Sequence, residues 1–303
     1  MNSITLKANA KINLSLNVTG VSQNMHTLDM VLASVNFGDV VNIEKNNSST
    51  SKIKYSDSRI TVGTDTVTKA VQLFNDEFRA QHNSNVTVDI FIDKKIPLAS
   101  GLGGSGVDAA AVLVGLQKLY NTNYNLQDLA KQIGSDVSYQ LKGGFARVEG
   151  IGDKITNFAS DAELFLVIAM GQTGVLAKDA YASFDQIYPS KEKSVSDNDE
   201  LIKQLSTSTS ISDYKHFANA LTKPAIYLNS TITDTLIALQ ESNAEHVLMS
   251  GSGSACIGFY KSKDLAKDAA KKITDSGLFA IATSTVKYGI VDYTNGDRYI
   301  LSV

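Results

Sequence analysis

The chain has 303 residues, of which 43% are hydrophobic and 19% are charged, a composition typical of a folded globular protein. A formal net charge of −3 and the lack of a basic cluster exclude a general nucleic-acid or anionic-membrane binder. The single cysteine, Cys256, excludes an internal disulfide and a cysteine-based metal site, and the four histidines lack zinc-site spacing. Without a signal-peptide pattern or an apolar run of membrane-spanning length, the sequence predicts a cytoplasmic protein.

The first third of the chain shows the period-two alternation and the β-branched residues of strands. Residues 4–20, 26–45, 51–63 and 83–97 each have this pattern, with polar breaks between them. Residues 65–78 instead have helical spacing, because their apolar side chains recur on one helix face: Val67, Val71, Phe74 and Phe78. This part is therefore predicted to combine several strands with one amphipathic helix.

A glycine-rich stretch, "PLASGLGGSGVDAAA" at 97–111, leads directly into an apolar helix that is predicted to be buried. A short helix follows at 125–134, behind an asparagine cap and before a glycine. Backbone N–H groups at a helix start are unpaired, and glycines let phosphate oxygens approach them closely. Phosphate binding is one interpretation of the glycine stretch, and a tight strand-to-helix connection is the other. No Gly-Lys-Ser or Gly-Lys-Thr follows, so the stretch is not a Walker motif.

A domain boundary is predicted near 152–163, which divides the chain into residues 1–158 and 159–303. The elements expected beyond it are a buried strand at 164–170, a polar surface loop at 190–200, helices at about 213–222, 230–242 and 263–275, a second glycine turn at 251–255 between two strands, and a hairpin turned at Asn295–Gly296. Strands and helices are mixed in both parts without the regular alternation of a Rossmann sheet. The prediction is an α+β protein of two domains.

Three motifs together resemble the GHMP kinase superfamily: "AKINLSLNV" at 10–18, the glycine-rich stretch at 97–111, and "LMSGSGSACIGFY" at 248–260. Residues 25–41, 133–155 and 216–232 add further matches to members whose acceptor carries a cytidine diphosphate group and belongs to isoprenoid precursor synthesis. The resemblance implies a ribosomal protein S5 domain 2-like N-terminal domain and a ferredoxin-like C-terminal domain. It also implies transfer of the γ-phosphate of ATP, with Mg2+, to a hydroxyl of a small-molecule substrate by a monomer or homodimer.

The same resemblance implies roles for individual residues. Asp136 would act as the base on the acceptor hydroxyl, and Lys11 would orient Asp136 and stabilise charge near the transferring phosphoryl group. Asn13, Met25 and His26 would contact the pyrimidine nucleotide substrate, and no residue is assigned to a metal. The ATP-binding residues would be Pro97, Leu98, Ala99, Ser100, Gly101, Leu102, Gly103, Gly104, Ser105, Gly106 and Val107. Taken alone, a lysine on a strand is usually solvent-facing, and an aspartate after Gly-Ser is usually a cap or turn residue.

The sequence departs from the family pattern at several of these positions. Gly106 and Val107 stand where two serines are usual, so backbone groups and the Ser105 hydroxyl would have to hold the phosphates. Met25 replaces a tyrosine that stacks on the cytosine, and base stacking of this kind is worth about 1–3 kcal/mol in single-strand binders. Three hypotheses follow: a kinase for the cytidine substrate, a kinase with another acceptor, and a non-catalytic relative that binds a nucleotide or metabolite.

Overall fold

The computed structural model describes residues 1–208 and 210–294 and the backbone of residues 299–300. The strands are β1 (Ser3–Ser22), β2 (Met25–Lys45), β3 (Lys52–Tyr55), β4 (Val88–Asp93), β5 (Ala146–Gly150), β6 (Lys154–Asn157), β7 (Phe165–Met170), β8 (Ala218–Asn219), β9 (His246–Met249), β10 (Cys256–Tyr260), β11 (Phe279–Val286), β12 (Ile290–Asp292) and β13 (Tyr299–Ile300). The helices are α1 (Thr66–His82), α2 (Gly104–Tyr120), α3 (Leu126–Ile133), α4 (Ser135–Gln140), α5 (Ala177–Ile187), α6 (Asn198–Thr207), α7 (Thr222–Leu228), α8 (Thr231–Glu241) and α9 (Lys263–Asp275).

The two longest strands, β1 and β2, organise the sheet. They pair antiparallel from the Ser3–Glu44 pair to the Ser22–Met25 pair, with three register shifts along the way. In the described residues the strand order is β13-β12-β1-β2-β11-β7-β10-β9, and β4 and β5 also pair with β2. Most neighbouring pairs are antiparallel and the helices lie between strands in the chain without a repeating β-α unit, so the α+β prediction is confirmed.

Local sequence patterns account for the first three helices. Helix α1 begins behind Asp65, whose side chain accepts the N–H of Thr68, and it buries the apolar face that the spacing predicts. Helix α2 is buried along most of its length and packs over β1 and β2. Helix α3 begins at the Asn125 cap and ends at Gly134, as predicted. These helices cover a large apolar core, and a second core lies beneath α5, α7, α8 and α9.

Two predictions for the second half are wrong. Residues 213–222 are not a helix: the backbone instead places β8 alongside β1, where the N–H of Ala220 donates to the carbonyl of Leu16 at 2.9 Å. Residues 190–200 are not only a surface loop, because α6 begins within them and Ser196 and Asn198 are buried. Their polar groups find partners on β1, which a surface-loop composition does not reveal. Helices α4, α5, α6 and α7 were not predicted.

The remaining expectations concern the C-terminal hairpin, membrane-spanning helices and the other elements of the second half. The Asn295–Gly296 turn lies outside the described residues, while β12 and β13 on either side of it pair antiparallel. Among the described helices, none has the length and apolar character needed to cross a bilayer. The predicted strand at 164–170, the two strands on either side of the glycine turn at 251–255, and the helices at 230–242 and 263–275 are confirmed within a few residues.

Candidate active site

Strand β1 carries a series of buried polar side chains at alternate positions. The residues between them are apolar and pack into the core, as the period-two pattern predicts. The buried polar residues are Asn9, Lys11, Asn13, Ser15 and Asn17. Each must find a partner, because an unsatisfied polar group in the interior is costly. The Lys11 ammonium donates to Asn13 Oδ1 at 2.9 Å, and the Lys11 backbone N–H donates to the carbonyl of Leu102 at 3.1 Å.

The loop between β4 and α2 has the backbone shape of an anion site. Ala99, Gly101 and Gly103 all have left-handed φ angles, of 51°, 78° and 77°. Helix α2 then starts at Gly104 without any side-chain cap. The first N–H groups of a helix have no intrahelical acceptor and the helix dipole adds positive potential there, so this arrangement can bind phosphate oxygens.

The second glycine turn holds this loop against β1. The buried Ser250 hydroxyl accepts the backbone N–H of Asn13 at 3.1 Å and donates to the carbonyl of Gly101 at 3.2 Å. The backbone adds a further link, because Ala255 N–H donates to the carbonyl of Ser100 at 3.0 Å. A Cβ on Gly101 would lie 2.1 Å from the Ser250 carbonyl oxygen, so only glycine permits this approach. The two glycine motifs therefore form one interlocked unit.

Lys11 and Asp136 meet at Gly103. A Cβ on Gly103 would lie 3.3 Å from Lys11 Cε and 3.6 Å from Asp136 Oδ2, so both side chains flank this residue. Asp136 is half-buried in the first turn of α4 and also packs against Gly106, whose Cβ would lie 2.7 Å from the Asp136 Cβ. The two described side chains do not form a direct ion pair. They instead approach the start of α2 from two sides, the arrangement a phosphoryl group at the loop would require.

A cavity of about 380 Å³ opens beside this unit. Eight of the eleven predicted ATP-binding residues line it: Pro97, Leu98, Ala99, Ser100, Gly101, Gly103, Gly104 and Ser105. Leu102 and Val107 are fully buried in the apolar core, and Gly106 packs on α4. A larger cleft of about 580 Å³ lies near the C-terminal ends of α1 and α2, but it has neither the glycine loop nor Lys11 and Asp136.

A buried ion cluster supports the loop from below. The Lys94 ammonium lies 2.5 Å from Asp39 Oδ2 and 2.5 Å from Asp108 Oδ2. Burial alone would lower the pKa of Lys94, but its contacts with Asp108 and Asp39 outweigh that effect and raise the pKa, so Lys94 is charged. Asp108 and Lys94 also line the cavity. The cluster ties β2, the end of β4 and α2 together directly beneath the loop.

The predicted substrate residues Met25 and His26 lie at the start of β2, by the β1–β2 hairpin, and Asn13 lies on β1 next to Lys11. His26 Nε2 contacts Asp185 Oδ1 at 2.7 Å, and the His26 ring stacks on Tyr181 with a centroid distance of 4.7 Å. Burial would raise the pKa of Asp185, but hydrogen bonds from His26 and Lys191 hold that pKa below its usual value. Met25 is exposed at the tip of the β1–β2 hairpin. Asn13 is buried and holds Lys11, so its contact with an external molecule would be through Lys11 or its own Oδ1.

Sequence reasoning missed three residues of this region: Ser250, Tyr181 and Asp185. Ser250 lies in a recognisable glycine turn, but nothing in the sequence shows that its hydroxyl reaches Asn13. Tyr181 and Asp185 lie on α5, which was not predicted. Only the tertiary structure brings that helix to His26.

Comparison with known proteins agrees with this geometry. The model of the GHMP kinases N terminal domain matches residues 65–149, and that of the GHMP kinases C terminal domain matches residues 194–277. A 4-diphosphocytidyl-2-C-methyl-D-erythritol kinase of Clostridium tetani is 32% identical over 275 residues, covering 88% of this chain and 95% of the relative. The chain belongs to the GHMP kinases. It is an ATP-dependent kinase of a small molecule.

Other GHMP kinases are similar to this protein over almost its whole length. A kinase of the same name from Acetivibrio thermocellus is 32% identical, covering 94% of this chain and all of the relative. The crystal structure of a 4-(cytidine 5'-diphospho)-2C-methyl-D-erythritol kinase aligns with a TM-score of 0.78 and 25% identity over 93% of this chain and 99% of the other. A homoserine kinase from Cytophaga hutchinsonii, with a TM-score of 0.70 and 18% identity over 96% of this chain and 98% of the other, shares the fold.

Proposed function

We propose that this GHMP kinase transfers the γ-phosphoryl group of ATP to a hydroxyl of 4-diphosphocytidyl-2-C-methyl-D-erythritol in isoprenoid precursor synthesis. The observation that carries the proposal is the similarity, over most of the chain, to relatives that bear this kinase name. The meeting of Lys11 and Asp136 at the loop supports it, because phosphoryl transfer needs positioning and charge neutralisation more than covalent help.

Asp136 accepts the proton of the acceptor hydroxyl as the oxygen–phosphorus bond forms and the bond between the β-phosphate oxygen and the γ-phosphorus breaks. Lys11, held by Asn13 and the loop, places its positive charge beside the developing negative charge. The N–H groups at the start of α2 and the loop from Pro97 to Gly103 bind the phosphates. Leu102 and Val107 contribute only through the backbone, since their side chains are buried in the core.

Mg2+ belongs to the proposal as the partner of ATP. Within the described residues there is no group of three or more His, Cys, Asp or Glu side chains that could hold a metal. In nucleotide sites Mg2+ is usually held by phosphate oxygens, water and one or two protein ligands. Ser105, exposed at the start of α2, is the hydroxyl that would contact it.

On the acceptor side, His26 would contact the edge of the pyrimidine, and Met25 would pack against it. Tyr181 on α5 adds an aromatic ring next to His26. The division into residues 1–158 and 159–303, the cytoplasmic location and the monomeric or homodimeric state remain predictions of the same proposal.

Direct assay of the purified chain tests the proposal. Phosphorus NMR should show a new phosphate ester on 4-diphosphocytidyl-2-C-methyl-D-erythritol when ATP and Mg2+ are present, and Asp136→Asn is the matched inactive control. Binding of ATP without turnover of this substrate would indicate a kinase with a different acceptor. Binding of neither molecule, measured by thermal shift, would indicate a non-catalytic relative.

A further inference from the structure

Lys94 contacts two buried carboxyl groups, those of Asp39 and Asp108, beneath the glycine loop. The side chains of Lys94, Asp39 and Asp108 are 5%, 0% and 2% exposed. If both carboxyl groups are ionised, the cluster has a net charge of −1 in the interior. Burial of an uncompensated charge is strongly unfavourable, and a carboxyl group in such a place takes up a proton instead.

The two carboxyl groups are not equally stabilised as anions. Asp39 Oδ1 accepts the backbone N–H groups of Lys95 and Ile96, at 2.5 and 2.8 Å, in addition to the contact of Oδ2 with Lys94. Asp108 has Lys94 at Oδ2, while its Oδ1 is buried and has no partner among the described residues. Hydrogen bonds to the charged form stabilise it, and Asp108 has fewer of them than Asp39, so Asp108 is the carboxyl group that takes the proton.

Apart from Lys94, the described residues that line the cavity around Asp108 include no positively charged side chain. Tyr55 on β3 and Asp65 at the cap of α1 line the same cavity, and the Tyr55 hydroxyl donates to Asp65 Oδ1 at 2.6 Å. Burial raises the pKa of Tyr55, so this residue stays neutral, and Asp65 adds negative charge. Burial also raises the pKa of Asp108 well above its usual value, and the attraction of Lys94 opposes that effect only in part.

A charge on Asp108 would affect phosphate binding because of where this residue lies. It lies four residues after Gly104, the first residue of α2, and it lines the cavity beside the loop. A net negative charge here would oppose the positive potential that the helix start offers to phosphate. A neutral carboxyl group would not oppose this potential, and its unpartnered oxygen can carry the proton.

We propose that Asp108 carries a proton in this kinase, which makes the cluster neutral and preserves the positive potential of the helix start for the phosphates of ATP. The second part rests on the proposed ATP-dependent function. The first part concerns the protein without ligand and can be tested alone.

Infrared spectroscopy of the ligand-free protein, with its aspartates labelled by ¹³C, tests the protonation state. At neutral pH we expect the carbonyl stretch of a protonated aspartic acid, absent in Asp108→Asn and retained in Asp136→Asn, the matched control in the same cavity. Lack of the band in the wild type, or its persistence in Asp108→Asn, would overturn the proposal. Should Asp108→Asn not fold, Asp108→Glu takes its place, because the glutamate carries no ¹³C label and the labelled aspartic acid band should then be absent.

ATP titration calorimetry tests the link to binding. From about pH 7 to about pH 10, above the range in which the phosphate itself titrates, the wild type should bind ATP more weakly as the proton is lost. Loss of one proton weakens binding by up to about tenfold per pH unit, and Asp108→Asn, which has the same shape but cannot ionise, should lack this component. Parallel curves for the two proteins would overturn the link. Failure of the wild type to bind ATP at any pH would instead overturn the proposed function, with the infrared result unaffected.

Discussion

The nucleotide side and the acceptor side of the site are built from different parts of the chain. On the nucleotide side, a continuous loop offers backbone N–H groups in a shape set by left-handed φ angles and by the Ser250 hydroxyl. On the proposed acceptor side, side chains from β2 and α5 meet through the hydrogen bond between His26 and Asp185 and the ring stack of His26 on Tyr181. Backbone sites tolerate side-chain changes, whereas each change in a side-chain site alters what is recognised. If the proposed assignments hold, the nucleotide side determines the reaction and the acceptor side determines the substrate.

The departures from the family pattern fit this division. Val107 is fully buried, and a Cβ on Gly106 would collide with Asp136 in its present position. Neither residue presents a side chain to the cavity, so the change from serine leaves the backbone surface of the loop in place. Met25, in contrast, is 47% exposed beside the acceptor residues, where a missing ring changes the contact surface itself.

The largest effect should come from removing the base at the point where the two sides meet. Asp136→Asn keeps the shape of the side chain but cannot accept the hydroxyl proton, so kcat should fall by about 10²- to 10⁴-fold. The affinity for ATP, measured by calorimetry, should change little, because the loop holds the phosphates through its backbone. A loss of affinity with kcat retained would mean that Asp136 belongs to the nucleotide side instead.

A substitution at Gly103 tests whether ATP binding depends on the backbone conformation of the loop. Gly103→Ala forces a Cβ into the left-handed region at φ 77°, 3.0 Å from Lys11 Cγ. Strain of this kind costs about 1–3 kcal/mol, and the contact with Lys11 adds to it, so both the free energy of unfolding and the ATP affinity should fall.

Gly134→Ala is the matched control for this change. Gly134 lies two residues before Asp136 in extended backbone, and a Cβ there meets nothing within 4 Å. Its stability and ATP affinity should stay close to those of the wild type. Equal losses in the two variants would show that the loop shape at Gly103 has no special role.

Removal of the Ser250 hydroxyl, which links the two glycine motifs, should have an effect of intermediate size. Ser250→Ala leaves the buried N–H of Asn13 and the carbonyl of Gly101 without their partner, which costs about 1–3 kcal/mol in chemical denaturation. Because Asn13 holds Lys11, kcat should fall along with stability. Ser206→Ala is the control, since the exposed Ser206 hydroxyl bonds only within its own helix and its loss should be nearly silent.

Local patterns explain why most of the nucleotide side could be predicted from the sequence. The strand alternation, the apolar α2 and the glycine loop each lie within a short segment, so their physics is visible in adjacent residues. The Ser250 bond could not be predicted in the same way, because it joins residues 237 positions apart. The glycine turn around Ser250 was visible, but its partner was not.

The acceptor side was less predictable for the same physical reason. His26 and Asp185 are 159 residues apart, and α5 has no side-chain N-cap bond to mark its start. The predicted helix at 213–222 failed because a sheet edge on β1 satisfied that backbone better than a helix did. Tertiary pairing outweighs local propensity in such segments.

The smallest effect should come from adding an aromatic ring to the acceptor side. Met25→Tyr places a ring beside His26, where it can stack on a pyrimidine, and such aromatic contacts are worth about 0.5–1.5 kcal/mol. The KM for the cytidine substrate should therefore fall about two- to tenfold. The KM for ATP should not change, because neither Met25 nor His26 lines the cavity beside the proposed ATP loop. Steady-state kinetics with each substrate varied in turn measures both constants.

Met25→Leu separates the ring from simple apolar bulk, since leucine keeps the volume without the π-system, and its KM for the cytidine substrate should match that of the wild type. A ring that stacks on bound substrate stabilises ground state and transition state about equally, so kcat should stay constant while KM falls. An enzyme with another acceptor would gain nothing from the tyrosine with the cytidine substrate. A fall in the KM for ATP, or an equal gain in Met25→Leu, would contradict the separation of the two sides, because a change at the hairpin tip would then reach the nucleotide or act through bulk alone.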